Sequence, residues 1–586
     1  MKTELLTLRK QMQSAGIDAY IVPTDDFHSS EYVGSFFRCR AWVSGFTGSA
    51  GVLVVTANWA GLWTDGRYFL QASAQLEGSG IELMKMGEEG VPSTTEWLKA
   101  NLPAGSVLGF DGRVMSCAWG KELEKLDVTL CWERDLVGEI WTDRPPMSKA
   151  PVWALQETFT GRSRREKLEQ LKADVAEKGC DYHILTSLDD ICWLLNLRGD
   201  DVACCPVFLS DVVVQGEQVS LYVDAQKLSD QLRTELAADG VAIKPYLSLY
   251  DDVKTFHGKV LLEPRKANYA ILKGLSADVQ LVEAPNPTTL PKARKNSVEV
   301  ENEALAHIRD GAALTRFMKW VKENVGKQTI TEISAAERLE AFRRQQPDYV
   351  GPSFEPIMGY AHHGAIIHYS ATAESDIALQ PAGFLLTDTG GHYLQGSTDV
   401  TRTFALGELT PEMKLHYTLV LKGHLNLSAA VFKAGCTGNN LDYLARSPLW
   451  EHGLDYNHGT GHGVGYLLNV HEGPQSISYH PGRGTAPLEV GMVTSNEPGL
   501  YFAGAYGIRI ENLIVCEQRC KNEYGTFLGF RDLTMCPYEL DAVDPDLLTE
   551  NERQLLNRYH AKVYENLAPL FTEEECAWLR HATRPI

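Results

Sequence analysis

The feature that most restricts the fold is a junction that occurs twice. An amphipathic helix with Leu5, Leu8 and Met12 on one face runs into Gly16-Ile17-Asp18, then into the apolar run Ala19-Tyr20-Ile21-Val22, with Asp25-Asp26 beyond. A second helix, with Leu168, Leu171 and Val175 behind Ser163-x-x-Glu166, runs into Gly179-Cys180-Asp181, then Tyr182-His183-Ile184-Leu185-Thr186, with Asp189-Asp190 beyond. The glycines lie 163 positions apart, and the aspartate pair recurs one residue later than that offset. A helix stopped by glycine and followed at once by a strand is a common α/β junction, so coincidence stays open. Recurrence of the whole helix–turn–strand unit favours two related α/β domains.

Breaks in the pattern divide the chain into three segments. Arg144-Pro145-Pro146 ends the first, 1–147, because consecutive prolines suit neither a helix interior nor a strand ladder. Within it, Gly51 to Val55 and Ala60 to Trp63 read as strands, and Ser93-x-x-Glu96 as a capping box opening a helix with Trp97 and Leu98. The run from Pro285 to Pro291 ends the second segment, 148–293. In the third, 294–586, Ser334-x-x-Glu337, Thr549-x-x-Glu552 and Thr572-x-x-Glu575 mark helix starts. Thr410-Pro411-Glu412 opens another helix, expected to carry the core stripe Met413, Tyr417, Val420, Leu427, Val431 and to stop at Gly435. Strands are expected at 383–387, 398–404, 492–494 and 507–515. The chain as a whole reads as α/β (α+β).

The formal net charge is −21. Phosphate backbones are held by clustered Lys and Arg, so no nucleic-acid partner is expected. No run approaches the roughly 18 apolar residues of a membrane span, and the N-terminus lacks an apolar signal core, so no membrane partner is expected either. The twelve cysteines are scattered without a CxxC pair. That spread suits free thiols in a reducing compartment, and the expected localisation is cytoplasmic.

Fourteen of the seventeen histidines lie from His307 onward, so chemistry is expected in the third segment. The densest stretch is His458-Gly459-Thr460-Gly461-His462-Gly463-Val464-Gly465, followed by Asn469-Val470-His471-Glu472-Gly473-Pro474. Glycine admits close backbone approach, and histidine is a metal ligand and proton carrier. The other reading is a glycine-rich turn with incidental histidines. Asp388 ends the run from Phe384, and Asp399 lies in Ser397 to Thr403. A hairpin across Gly390, Gly391 and Gly396 would set these two carboxylates side by side, where a shared cation is their natural partner; two exposed turn aspartates are the alternative. Glu497 sits in Ser495-Asn496-Glu497-Pro498-Gly499. In the run from Gly507 to Val515, Arg509 and Glu511 share one face of a strand and Ile508 and Ile510 the other. Ionisable groups in so apolar a run must be paired or metal-bound, and a structural salt bridge alone would also account for Arg509.

The order Asp388, Asp399, His462, Glu497, Glu511 resembles the pita-bread metallopeptidase family that includes methionine aminopeptidase, prolidase and aminopeptidase P. The resemblance covers the whole chain. Trp63 to Phe69, Asn196-Leu197-Arg198-Gly199, Gly364 to Tyr369 and Thr398 to Thr403 are similar to the long, cytosolic-type aminopeptidase P subgroup. It implies two creatinase-like N-terminal α/β domains, 1–147 and 148–293, before a pita-bread catalytic domain, 294–586, that includes the C-terminal helices. It implies two divalent metal ions, Mn²⁺ first and Co²⁺ or Zn²⁺ otherwise, which suit oxygen and nitrogen donors of this kind. Asp399 and Glu511 would bridge both ions, Asp388 would bind one, and His462 and Glu497 the other. The implied reaction is metal-dependent release of the first residue of a peptide when proline is second. Glu497 would be the general base, and His368 and His471 would hydrogen-bond the scissile carbonyl. His458 would shape the proline pocket, Arg509 would steady the ligand shell, and Arg67 would reach the far end of longer peptides. The subgroup also implies a homodimer, with Trp450 a candidate interface residue.

The remaining histidines receive no role: His392 is expected in a turn, and His416, His424 and His560 on helices, while His363 matches nothing. Two alternatives to the aminopeptidase stand: a prolidase (Xaa-Pro dipeptidase), which takes only dipeptides, and a non-catalytic binding protein on the same fold. Relatives of the latter kind typically lose ligands, whereas all five are present here.

Overall fold

The computed structural model describes residues 2–480 and 482–586. The chain forms two compact units, Met1–Gln156 with Arg162–Thr289, and Glu157–Gly161 with Leu290–Ile586.

The first unit holds two six-stranded sheets of the same design. In one the order is Glu82–Lys85, Ala60–Thr64, Val52–Thr56, Ala19–Pro23, Ser106–Gly109, Val128–Cys131. In the other it is Val241–Lys244, Gln218–Val223, Ser210–Gln215, Tyr182–Leu185, Lys259–Leu262, Gln280–Glu283. Strand directions also agree: the first strand of each sheet pairs antiparallel on one side and parallel on the other. The recurring junction is therefore a recurring fold. Gly16 and Gly179 both take positive φ, +68° and +64°, which lets each helix stop and the chain reverse into its strand. Leu5, Leu8 and Met12 are buried against Tyr20 and Val22. His28 joins the two halves, donating from Nδ1 to the Thr186 carbonyl (2.8 Å) and accepting at Nε2 from the Tyr246 hydroxyl (2.5 Å).

The second unit is built on the helix Ser297–Asn324, a three-stranded sheet (Ile357–Tyr360, Phe384–Thr389, Val400–Ala405) and a six-stranded sheet. The latter runs Val431–Lys433, Gly525–Asp532, Asn512–Asn522, Val493–Asn496, Gly461–Gly463, Glu472–Ile477. Capping boxes at Thr549 and Thr572 start the two C-terminal helices as expected.

Four local expectations differ from the structure. The cap near 334 lies at Thr331, whose side chain accepts from Ser334 N–H while Ser334 Oγ accepts from Thr331 N–H; this places Glu332, not Ser334, at the helix start. The helix from Pro411 ends at Ser428, because Val431–Lys433 is taken up as an edge strand beside Gly525–Asp532, leaving Val431 62% exposed. The run 507–515 is two strands, Tyr506–Arg509 and Asn512–Asn522, each paired with a different partner. His392 lies in a strand, Gly391–Tyr393, with Nδ1 2.9 Å from Ser397 Oγ.

Candidate metal centre and active site

The five acidic and imidazole groups come from strands of both sheets and the turns beside them. Asp388 is in Phe384–Thr389 and pairs in register with Thr401 of Val400–Ala405. Asp399 immediately precedes that second strand, so it lies on the same side as Thr401. His462 is central in Gly461–Gly463, Glu497 follows Val493–Asn496, and Glu511 sits at the break between Tyr506–Arg509 and Asn512–Asn522. That break turns the chain so that Arg509 and Glu511 are both buried, at 2% and 1% exposure.

Asp399, His462 and Glu511 each present one donor atom within 4.8 Å of the others. His462 Nε2 lies 3.4 Å from Asp399 Oδ2 and 3.5 Å from Glu497 Oε1. Its Nδ1 donates to the Gly463 carbonyl at 3.0 Å, which fixes the ring and leaves Nε2 directed at the carboxylates. Asp388 Oδ2 accepts from Arg509 Nη2 at 2.5 Å, while Asp388 Oδ1 is buried with no hydrogen-bond partner. Glu511 Oε2 accepts from Thr401 Oγ1 at 2.7 Å, and Ser495 Oγ is 3.3 Å from Glu497 Oε1.

Burial raises the pKa of Asp388, Glu497 and Glu511, and mutual repulsion among these carboxylates and Asp399 adds to it. Burial opposes charge on His462, but the hydrogen bond to Asp399 and the charges of Glu497 and Asp399 outweigh it and push the pKa up to about 9. Four carboxylates gathered in one buried place, one with an orphaned oxygen, fit divalent cations of oxygen- and nitrogen-binding type.

A directed chain of hydrogen bonds leads out of this cluster. Arg509 Nη1 donates to Tyr501 Oη (2.7 Å), Tyr501 donates to His458 Nε2 (2.9 Å), and His458 Nδ1 donates to the Gly459 carbonyl (2.8 Å). His471 packs edge-on against His462, with ring centroids 4.3 Å apart. His368 is half-buried, next to Ile367, whose carbonyl lies 3.4 Å from Arg509 Nη2. Arg67 is in the other unit, bidentate on Asp65 at 2.8 Å for both contacts. Trp450 ends the helix Gly438–Trp450 and is 40% exposed. Sequence reasoning missed Thr401, Ser495 and Tyr501. Thr401 had a signal, two positions from Asp399 on a strand; Tyr501 had none, since its role depends on a turn that brings it to Arg509.

Residues 303–518 match metallopeptidase family M24 and 526–586 its C-terminal region. Residues 5–131 and 143–299 match two creatinase/prolidase N-terminal domains. A probable Xaa-Pro aminopeptidase P of Botryotinia fuckeliana is 40% identical over 99% of this chain and 92% of its own length. The chain belongs to metallopeptidase family M24. Within the family, the crystal structure of an X-prolyl aminopeptidase of Caenorhabditis elegans, described as a cytosolic enzyme with a di-nuclear active site, is 35% identical. It superposes with a TM-score of 0.94 and covers 100% of both chains. An Xaa-Pro dipeptidase of Bacillus anthracis, 24% identical with a TM-score of 0.52, covers 99% of its own chain but only 64% of this one, and shares the fold. No helix among the described residues is long and apolar enough to cross a membrane.

Proposed function

We propose that this M24 chain is a dinuclear metal-dependent Xaa-Pro aminopeptidase acting on peptides longer than two residues. The convergence of Asp399, His462 and Glu511 in a chain that an X-prolyl aminopeptidase matches end to end carries the reading. The prolidase alternative is weaker because the dipeptidase covers only part of the chain. We read 1–147 and 148–293 as the creatinase-like domains and 294–586 as the catalytic domain.

Asp388, Asp399, His462, Glu497 and Glu511 would hold the cations. When bound, two divalent cations, Mn²⁺ in our assignment, supply Lewis acidity at the scissile carbonyl and lower the pKa of the attacking water. Glu497 takes the water's proton and returns it to the departing prolyl nitrogen. His368 and His471 donate to the scissile carbonyl oxygen as charge develops there. His458, fixed through Tyr501, forms a wall of the proline pocket. Arg509 holds Asp388 in place. Arg67 keeps the role in longer peptides that the resemblance implies.

The compartment is cytoplasmic, in keeping with twelve free cysteines and the cytosolic C. elegans relative. The assembly is a homodimer through the catalytic domain. Tyr443, Trp450 and Tyr479 form an exposed aromatic group, with Trp450 5.9 Å and 5.8 Å from its neighbours, and such patches mark interfaces. A wild-type chain that is monomeric by mass at micromolar concentration would refute the dimer.

The function is tested by stripping metal with a chelator and restoring Mn²⁺. Arginine should leave Arg-Pro-Pro and not Arg-Ala-Pro. Cleavage of Arg-Pro alone would establish the prolidase reading, and neither metal uptake nor activity the binding-protein reading.

A further inference from the structure

The connection between the strands Ile357–Tyr360 and Phe384–Thr389 is long and carries only one short 3₁₀ turn, Ala361–Ala365. Connections longer than about 12–15 residues without structure are uncommon and usually functional. Both ends of this one are tied to the start of the helix Glu332–Arg343. Tyr360 N–H donates to Glu332 Oε1 (2.8 Å), Leu379 N–H to the Ile330 carbonyl (2.8 Å), Glu332 N–H to the Ile377 carbonyl (3.2 Å), and Ile333 N–H to Asp376 Oδ1 (3.1 Å).

Between these ends the Glu332 side chain, 0% exposed, gathers two more donors. His363 Nδ1 lies 2.9 Å from Oε1 and 3.0 Å from Oε2, and the Tyr369 hydroxyl donates to Oε2 at 2.8 Å. The His363 ring stacks on Tyr369, centroids 4.3 Å apart and 24° between planes. A buried carboxylate must be compensated, and these three donors come from one segment, 360–369. The carboxylate itself is fixed on the first turn of a helix, where the backbone dipole favours negative charge. The helix therefore acts as the fixed part and the segment as the part it holds. His368 lies next to Tyr369 and directly follows Ile367, the residue that touches Arg509.

We propose that Glu332 is a positioning residue for the reaction: its carboxylate sets the 360–369 segment so that His368 meets the scissile carbonyl. The inference rests on the role of His368 given above. The experiment is a cycle of His368→Ala, Glu332→Gln and the double variant, assayed with Arg-Pro-Pro, together with native-state hydrogen exchange on the full-length Glu332→Gln protein. His368→Ala should lower kcat about 10²-fold. Glu332→Gln should lower kcat about tenfold with KM changed less than about twofold, and should cost nothing further in the His368→Ala background. An equal loss in both backgrounds, or one confined to KM, overturns the proposal. Tyr369→Phe, which keeps the carboxylate and removes one donor, should reproduce the pattern at a few-fold. Amides of 361–369 should exchange about tenfold faster in Glu332→Gln while those of Phe384–Thr389 do not change. Unchanged exchange in that segment overturns the clamp whatever the substrate, whereas a wild-type protein inert toward Arg-Pro-Pro refutes the function instead.

Discussion

Metal binding should expel protons from this site, and the amount follows from His462. Without a cation, Asp399 and Glu497 hold that imidazole protonated, with its pKa about 9. Its Nδ1–H is committed to the Gly463 carbonyl, so the lone pair a metal needs can come only from Nε2, the nitrogen facing the carboxylates. At pH 7 the Nε2 proton must be removed from a group whose pKa lies about two pH units higher, which costs about 3 kcal/mol, or about a hundredfold in apparent affinity. The sign is fixed: protons on the metal-free form compete, so affinity rises with pH, tenfold per unit for each proton released, up to about pH 9. Glu497, Glu511 and Asp388, all raised by burial, can only add to the release. Calorimetric titration of Mn²⁺ into chelator-stripped protein at pH 7, in two buffers of different ionisation enthalpy, counts the protons directly. At least one per site is expected. No release, with affinity flat between pH 6 and 8, would refute this account of the cluster.

Glu497→Gln should keep the fold and lower kcat by about 10²–10⁴-fold; full activity in that variant removes Glu497 as the base. Arg402, 0% exposed, donates to the carbonyls of Thr401, Glu511, Cys536 and Pro537 and to the Asn512 side chain. Arg402→Met leaves these buried acceptors short of a donor at about 1–3 kcal/mol each before relaxation, so the thermal midpoint should fall by several degrees; an unchanged midpoint in a melting scan contradicts this. Burial lowers the pKa of His183 to about 4 and of His560 to about 3. Each stabilises the fold as neutral imidazole above its unfolded value of about 6.5, and the contribution is lost as pH falls below that, by about 3 kcal/mol or more per group. The urea midpoint should therefore drop between pH 7.5 and 5, and a flat profile would count against buried neutral histidines.

Much of this was legible in local pattern. Capping boxes at Ser93, Ser163, Thr549 and Thr572 and glycine stops at Gly16 and Gly179 act over three or four residues, so spacing alone reveals them. The repeat was legible because each copy stops its helix at a positive-φ glycine and enters its strand within three residues. At 331–334, 428–431 and 510–511 local preference was ambiguous, and a partner distant in sequence decided each outcome: Ile377 and Asp376 at the first, the Gly525–Asp532 strand at the second, two different neighbouring strands at the third.

By itself, then, the sequence determined the two related α/β halves, the starts of three third-segment helices at Thr410, Thr549 and Thr572, and the kinds and order of groups available for chemistry: two aspartates, a histidine, two glutamates. Only the tertiary structure decided that Asp399, His462 and Glu511 point at one another, that Tyr501 ties His458 to Arg509, and that His363 serves Glu332 rather than standing idle. Spacing along a chain carries no information about which strands of different sheets will meet. Bringing like-charged carboxylates together is unfavourable in isolation, and it is the packing of two sheets around them that imposes it.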